Sequence, residues 1–206
     1  MEAFETHRGK VALLDRANVD TDQIIPKQFL KSIRRTGFGR SLFFDWRYRE
    51  DGSDDPDFAL NRPRYRGASI LVTRNNFGCG SSREHAVWAV MQYGFRVVIA
   101  PRVRRGDNEI PGFADIFRNN CAKNGMLTIE LSEDEVQQLF EAVEAEEGLE
   151  ATVDLESMTL TLHAADGERS LSFEIDPGVR ESLMKGLDPI SQTLQYEGDI
   201  SDFEKS

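Results

Sequence analysis

Two apolar runs, ASILVT (Ala68–Thr73) and FRVVIA (Phe95–Ala100), flank a stretch rich in helix formers, Ser82–Tyr93, with Gly94 standing where a helix stop belongs. Strand, loop, helix, strand is the unit that forms parallel sheet by a right-handed crossover. The stretch between the first run and the helix, NNFGCGSSREH (Asn75–His85), therefore occupies the turn from a strand's carboxyl end to a helix's amino end. Open α/β sheets commonly bind ligands there.

The rest of the chain adds a second kind of pattern. GKVALLD (Gly9–Asp15) reads as a strand that RANVDTDQIIPKQFL leaves through a polar turn. Thr36–Arg66 holds Gly, Pro, Asp and aromatics with no sustained period. It reads as a long, partly ordered loop, with Phe38, Phe43, Phe44, Trp46 and Tyr48 favouring order. Ser132 with Glu135 has capping-box spacing, and Val136, Leu139, Phe140 and Val143 form one stripe of a helix that stops near Gly148. ATVDLESMTLTLHAADGERSLSFEI alternates in short runs broken by ESM and ADGE, which predicts a β-meander. Pro177–Gly186 and Asp188–Tyr196 look like short closing helices. The expectation is a mixed α/β fold, a βαβ core joined to antiparallel strands, as a single domain over residues 1–206.

Charge narrows the function. The net charge is −11, yet residues 130–206 hold 21 acidic and 4 basic side chains (net −17) while residues 1–129 hold 15 acidic and 21 basic (net +6). An acidic chain argues against broad nucleic-acid binding. Within residues 31–49, Lys31, Arg34, Arg35, Arg40, Arg47 and Arg49 face only Asp45, which suggests a local site for a small anion; a solvated basic loop is the plainer reading. No apolar run approaches the roughly eighteen residues of a membrane helix, and the first residues lack a signal peptide's apolar core, so a cytoplasmic location is the expectation. Two cysteines, Cys79 and Cys121, cannot complete a four-cysteine cluster or zinc site, so no cofactor is expected on this chain.

Several chemistries compete for the Gly-rich loop. A dinucleotide fingerprint fails because Arg83 stands three after Gly80; the Walker loop and the nucleophile elbow are absent too. Cys79 at a helix amino terminus is a conceivable nucleophile, with His85 its nearest base. Gly78 and Gly80 let backbone approach an anion, unpaired helical amides favour negative charge, and Arg83 adds a fork for a carboxylate. Ser81 with Glu84 also matches a capping box. A serine hydroxyl in that positive field can equally act as a general base toward a carbon acid.

NFGCGSSREHAVWAV, taken with NVDTDQIIPKQFL, TGFG and GFADIF, closely resembles the small-subunit family of 3-isopropylmalate dehydratases in the aconitase-like superfamily, from about Gly9 to Leu194. The resemblance implies the swivelling domain of aconitase, a three-layer β/β/α fold, made as a separate polypeptide. It implies dehydration of 2-isopropylmalate and rehydration to 3-isopropylmalate in leucine biosynthesis. The partner would be a large subunit, in a heterodimer or higher heteromer, carrying a [4Fe–4S] cluster whose open iron is the Lewis acid. The substrate is a small hydroxy-dicarboxylate. Ser81 matches the catalytic serine, Arg83 and Ser82 the carboxylate-binding and serine-stabilising positions, and Thr21 and Asp22 the Thr-Asp pair that orders the site's hydrogen bonds. Arg34 falls at a further substrate arginine, and Thr36 and Gly37 lie in RTGFG, within the substrate-distinguishing loop of about residues 31–66. Glu84 then reads as a cap, His85 as structural and Cys79 as a small side chain in a crowded turn.

One departure from the family is RVRRGDNEIPG (Arg102–Gly112), placed where VVIAP usually runs almost directly into FADIF. It reads as a solvated excursion; reshaped substrate access, a large-subunit contact or an extra carboxylate grip are the alternatives. Homoaconitate, citraconate and dimethylmalate dehydratase small subunits share the same resemblance, and a stand-alone carboxylate-binding module is the reading outside catalysis.

Overall fold

The computed structural model describes residues 1–31, 35–188 and 191. Among them are eight strands, β1 (Thr6–Leu14), β2 (Ile70–Thr73), β3 (Val97–Arg105), β4 (Asn108–Ile110), β5 (Leu127–Ser132), β6 (Glu150–Asp154), β7 (Thr159–Ala164) and β8 (Gly167–Ser172). The helices are α1 (Thr21–Ile24), α2 (Phe44–Arg47), α3 (Glu84–Tyr93), α4 (Asp115–Asn124), α5 (Glu133–Ala145) and α6 (Pro177–Lys185).

The strands form one eight-stranded mixed sheet whose parallel and antiparallel parts meet at β1. Its back half, Val11–Leu14, is buried throughout and pairs in parallel with β2, which pairs in parallel with β3, which pairs in parallel with β5. Both β2 and the first half of β3 are buried at every residue, the pattern of strands covered on both faces. The front half of β1, Thr6–Lys10, pairs antiparallel with β6, and β7 and β8 follow as the predicted meander. Here Ala151, Val153, Leu160 and Leu162 are buried while their neighbours in sequence are not, as a one-sided sheet requires.

Helix α3 crosses from β2 to β3 and ends at Gly94, whose φ of +128° no ordinary side chain adopts easily. Helix α5 starts at the Ser132–Glu135 capping box and lies across β1, β2, β3 and β5 on its buried stripe of Val136, Leu139, Phe140 and Val143. Strand β5 and helix α4 are additions to the sequence reading. Helix α6 is present and ends at Gly186; most of the second closing helix expected, Asp188–Tyr196, lies outside the described residues.

Two expectations change. The Thr36–Arg66 segment is a packed series of short helical turns, Phe38–Ser41, α2, Ala59–Asn61 and Pro63–Tyr65. Turns this short are unstable alone. Burial of Phe38, Leu42, Phe43, Phe58, Leu60 and Tyr65 orders them, at roughly 1.5–3 kcal/mol for each large apolar side chain. The second is an addition: Arg102–Gly112 is exposed along most of its length, as a solvated excursion is, but it is paired, since β3 runs on to Arg105, turns at Gly106 and returns as β4, with Val103 opposite Ile110.

Candidate functional site

The site is built where the loops leaving β1 and β2 lace together. Val19 accepts backbone hydrogen bonds from Gly78 (2.8 Å) and Cys79 (3.2 Å), and the Thr21 amide donates to the Cys79 carbonyl (2.9 Å). The buried Thr21 hydroxyl then donates to the Ser81 carbonyl at 2.9 Å. Gly78 (φ +76°) and Gly80 (φ +90°) supply the turns of the β2–α3 loop in left-handed backbone. At Gly78 there is no room either, since an added Cβ would come within 2.2 Å of Phe117 Cγ.

Within that frame Asp20 and Asp22 divide their work. Asp20 caps α1 in a reciprocal box with Gln23, its Oδ1 accepting from the Gln23 amide at 2.8 Å while Gln23 Oε1 accepts from the Asp20 amide at 2.9 Å. Asp22, in the first turn, is left to accept a hydrogen bond from the Arg83 guanidinium through Oδ1, with Lys27 Nζ at 3.6 Å from Oδ2. The Arg83 hydrogen bond, helped by the positive charges of Arg83 and Lys27, holds the Asp22 carboxyl below its usual value. No sequence pattern singles out Lys27. Arg83 is only 12% exposed, and among the described residues Asp22 is its one side-chain partner, through one terminal nitrogen. Its other N–H groups make no side-chain contact there and have the geometry to hold a carboxylate.

Ser81 and Ser82 are exposed. The capping box read at Ser81 and Glu84 does not form: the chain is still extended at Arg83, which is the N-cap residue and makes no side-chain cap. Glu84 instead accepts from Asn124 Nδ2 at 3.0 Å, and Asn124 Oδ1 accepts from Trp88 Nε1 at 3.0 Å. The Ser81 hydroxyl is thus uncommitted among the described residues. His85 sits between Phe38 (5.2 Å) and Trp88 (4.7 Å) as a packing ring.

The segment expected to distinguish substrates is tied to the same helix. Gln92 of α3 accepts from the Phe38 amide at 2.8 Å and donates to the Arg35 carbonyl at 2.7 Å, which sets Thr36 and Gly37, both exposed, along α3. A cleft of about 250 Å³ is lined by Gln28, Phe29, Thr36, Gly37, Phe38 and Ser41. Arg34, assigned to a substrate contact, lies outside the described residues. Of the other cations in the basic segment, Arg47 is spent on the carbonyls of Gly39 (3.3 Å) and Leu42 (3.4 Å), and Arg49 faces Asp55 at 3.8 Å.

The thiol reading loses its physical basis. Burial, with Asp20 adding to it, pushes the Cys79 thiol up rather than down, and Cys121 is fully buried with its thiol raised further. No group of three His, Cys, Asp or Glu among the described residues is placed to hold a metal ion, and two cysteines this disposed do not fit an iron–sulfur cluster.

The chain is similar to known proteins over its whole length. Residues 1–134 match the family model described as the Aconitase C-terminal domain, and residues 137–177 match one described as LeuD_N. The 3-isopropylmalate dehydratase small subunit of Desulforapulum autotrophicum is 58% identical, covering 99% of this chain and 95% of the relative. That of Rhodopirellula baltica is 56% identical, over 100% and 99%. Its namesake in Bacillus subtilis is 52% identical, over 99% and 96%. Among solved structures, 3-isopropylmalate dehydratase (leuD) of Methanocaldococcus jannaschii superposes with a TM-score of 0.64 at 22% identity, over 96% of this chain and 98% of that one. The likeness shows the fold, the mixed α/β swivelling domain.

Proposed function

The chain belongs to the 3-isopropylmalate dehydratase small-subunit family, and on that premise we propose that it supplies the proton-moving and carboxylate-binding half of the active site that converts 2-isopropylmalate to 3-isopropylmalate in leucine biosynthesis. Its partner is a large subunit, assembled with it in the cytoplasm as a heterodimer or higher heteromer. The [4Fe–4S] cluster belongs to that subunit and contributes Lewis acidity toward the hydroxyl that leaves.

The observation that carries this reading is the pairing of an uncommitted, exposed Ser81 hydroxyl with a backbone fixed by Thr21 and, two residues on, a guanidinium held by Asp22. Ser81, as an alkoxide stabilised by the cations and amides around it, takes the proton from the carbon α to a carboxylate. Loss of hydroxide from the neighbouring carbon leaves the alkene, and the same group returns the proton when water adds with the opposite regiochemistry. Arg83 holds a carboxylate by its free N–H groups, Ser82 and Arg34 add contacts to it, and Asp22 keeps the Arg83 fork aimed. Thr36 and Gly37, beside the cleft at α3, contact the part of the substrate that distinguishes one malate analogue from another.

The test is Ser81→Ala, co-expressed anaerobically with the cognate large subunit, cluster-reconstituted and assayed for alkene absorbance on 2-isopropylmalate, with citramalate and homocitrate in parallel. Turnover should fall by about two to four powers of ten, the scale of a lost acid–base group, while the subunits still copurify. An active Ser81→Ala complex removes Ser81 from the role, and turnover of another acid by the wild type changes the substrate.

A further inference from the structure

We propose that Glu130, together with Arg102 of the β3–β4 hairpin, is a positioning element that braces the Ser81 loop; the inference rests on the reading of Ser81 as the group that moves the proton. The starting point is that the hairpin's cations are already engaged. Arg102 donates to Glu109 (2.7 Å) and to Glu130 (2.5 Å), Arg105 meets both oxygens of Glu133 at 2.7 Å, and Arg104 lies 3.8 Å from Glu109. Arginines spent in this way are not offered to a substrate anion.

What the hairpin holds instead is its own return limb. Glu130, on β5 opposite Ala100 of β3, has a side chain only 12% exposed. Its Oε2 takes the Arg102 hydrogen bond and lies 3.7 Å from Arg118, while Oε1 accepts from the Gly112 amide at 2.7 Å. Gly112 lies so close to the sheet that an added Cβ would come 3.1 Å from Ala100 Cβ, the Ala100 carbonyl oxygen and Glu130 Cγ. The pinned limb is the backbone partner of the site loop: Asn76 donates to the Pro111 carbonyl (2.9 Å), Phe77 to the Gly112 carbonyl (2.8 Å), and Ala114 to the Phe77 carbonyl (3.1 Å). Phe77 is fully buried and Gly78 follows it against Phe117, so slack at Gly112 passes directly into the turn that ends in Ser81. The loop is held on one side by Val19–Thr21 and on the other by Pro111–Ala114, and Glu130 is the side chain that locks the second clamp to the sheet.

A misplacement of the base by a fraction of an ångström lowers the rate of the chemical step, while the Arg83 guanidinium keeps its separate hold on Asp22. In the cluster-loaded complex, Glu130→Ala and Arg102→Ala should lower kcat by about tenfold or more with KM within about twofold of wild type. Glu130→Gln, which keeps an acceptor for the Gly112 amide, should recover most of the Glu130→Ala loss. Arg102 is half-exposed, so Arg102→Ala carries the test if Glu130→Ala does not fold. In the full-length chain alone, hydrogen exchange at the Asn76 and Phe77 amides should quicken by about tenfold in both alanine variants, with Leu71 and Val72 of β2 unchanged. Unchanged exchange at Asn76 and Phe77 overturns the brace, as does a raised KM with intact kcat, which would make the hairpin a substrate grip. The exchange readout does not depend on activity, so an active Ser81→Ala complex overturns the role of Ser81 separately.

Discussion

Gly78→Ala is the substitution whose cost the structure fixes most directly, because two independent penalties fall on one methyl group. The first is backbone: φ is +76°, and holding an L-residue in left-handed space costs about 1–2 kcal/mol. The second is steric. The new Cβ would sit 2.2 Å from Phe117 Cγ, 2.5 Å from its Cβ and 2.6 Å from its Cδ2. These atoms are at the root of a buried ring and cannot swing aside, so the cost is that of an overpacked core, about 1–3 kcal/mol. The sum, about 2–5 kcal/mol, is a large share of a typical domain's stability, and for a chain of this length it lowers Tm by about 4–20 °C. Thermal unfolding followed by circular dichroism reads it. A cycle with Phe117→Ala tests the ring's share of the steric part: it removes Cγ and Cδ2 and leaves Cβ at 2.5 Å, so the double variant should be less destabilised than the sum of the singles, with the Cβ contact and the backbone part remaining. A Gly78→Ala protein melting within about 1 °C of wild type, or a strictly additive double variant, would refute the reasoning.

Other expectations follow from local features. Asp22 has its carboxyl depressed in the folded state, so its pairing stabilises the protein above the ordinary carboxylate range near 3.8 and is lost as pH falls through the lowered value. The difference in denaturant midpoint between wild type and Asp22→Asn should therefore be constant at neutral pH and shrink below about pH 4. Cys79, with its thiol raised, should react with iodoacetamide more slowly than a free thiol at pH 8, with the rate still climbing above pH 9, while Cys121 stays unlabelled until the protein unfolds. Ser132→Ala removes the cap that accepts the Glu135 amide and should cost about 1 kcal/mol, or about 2–4 °C in Tm, with no change in β-sheet signal.

Two copies of one motif mark how far sequence carries. Ser132–Glu135 and Ser81–Glu84 have the same spacing, and only the first forms a capping box. The difference lies in what surrounds them. Ser132 leads straight from strand into helix, whereas Ser81 is held by Thr21 in a loop that stays extended to Arg83, and Glu84 is drawn away by Asn124. Local pattern decides an element when nothing non-local competes. The buried run of β2, the stop at Gly94 and the ESM and ADGE breaks of the meander were legible for that reason. Strand β5 was not, since LTIELS runs directly into the helix signal that follows it. The hairpin at Arg102–Gly112 was hidden for another reason: its order depends on Glu130 and Glu133, far along the chain. In the site, the residue types were visible in the motif, but the contact of Lys27 with Asp22 and the packing of Phe117 against Gly78 arise only from the fold.

The double allegiance of β1 bears on how the chain is made. Its apolar half, Val11–Leu14, finds β2 once about sixty residues more have emerged, whereas Thr6–Lys10 must wait for Glu150–Asp154. At ordinary ribosomal speeds of about 5–20 residues per second, that is an open strand edge for about 7–30 s on every nascent molecule. The waiting half reads Thr-His-Arg-Gly-Lys, with Arg8 and Lys10 among the charges that discourage edge-to-edge pairing with other chains. Val-Ala-Leu-Leu, which a stray strand would readily adopt, is the half that is covered first.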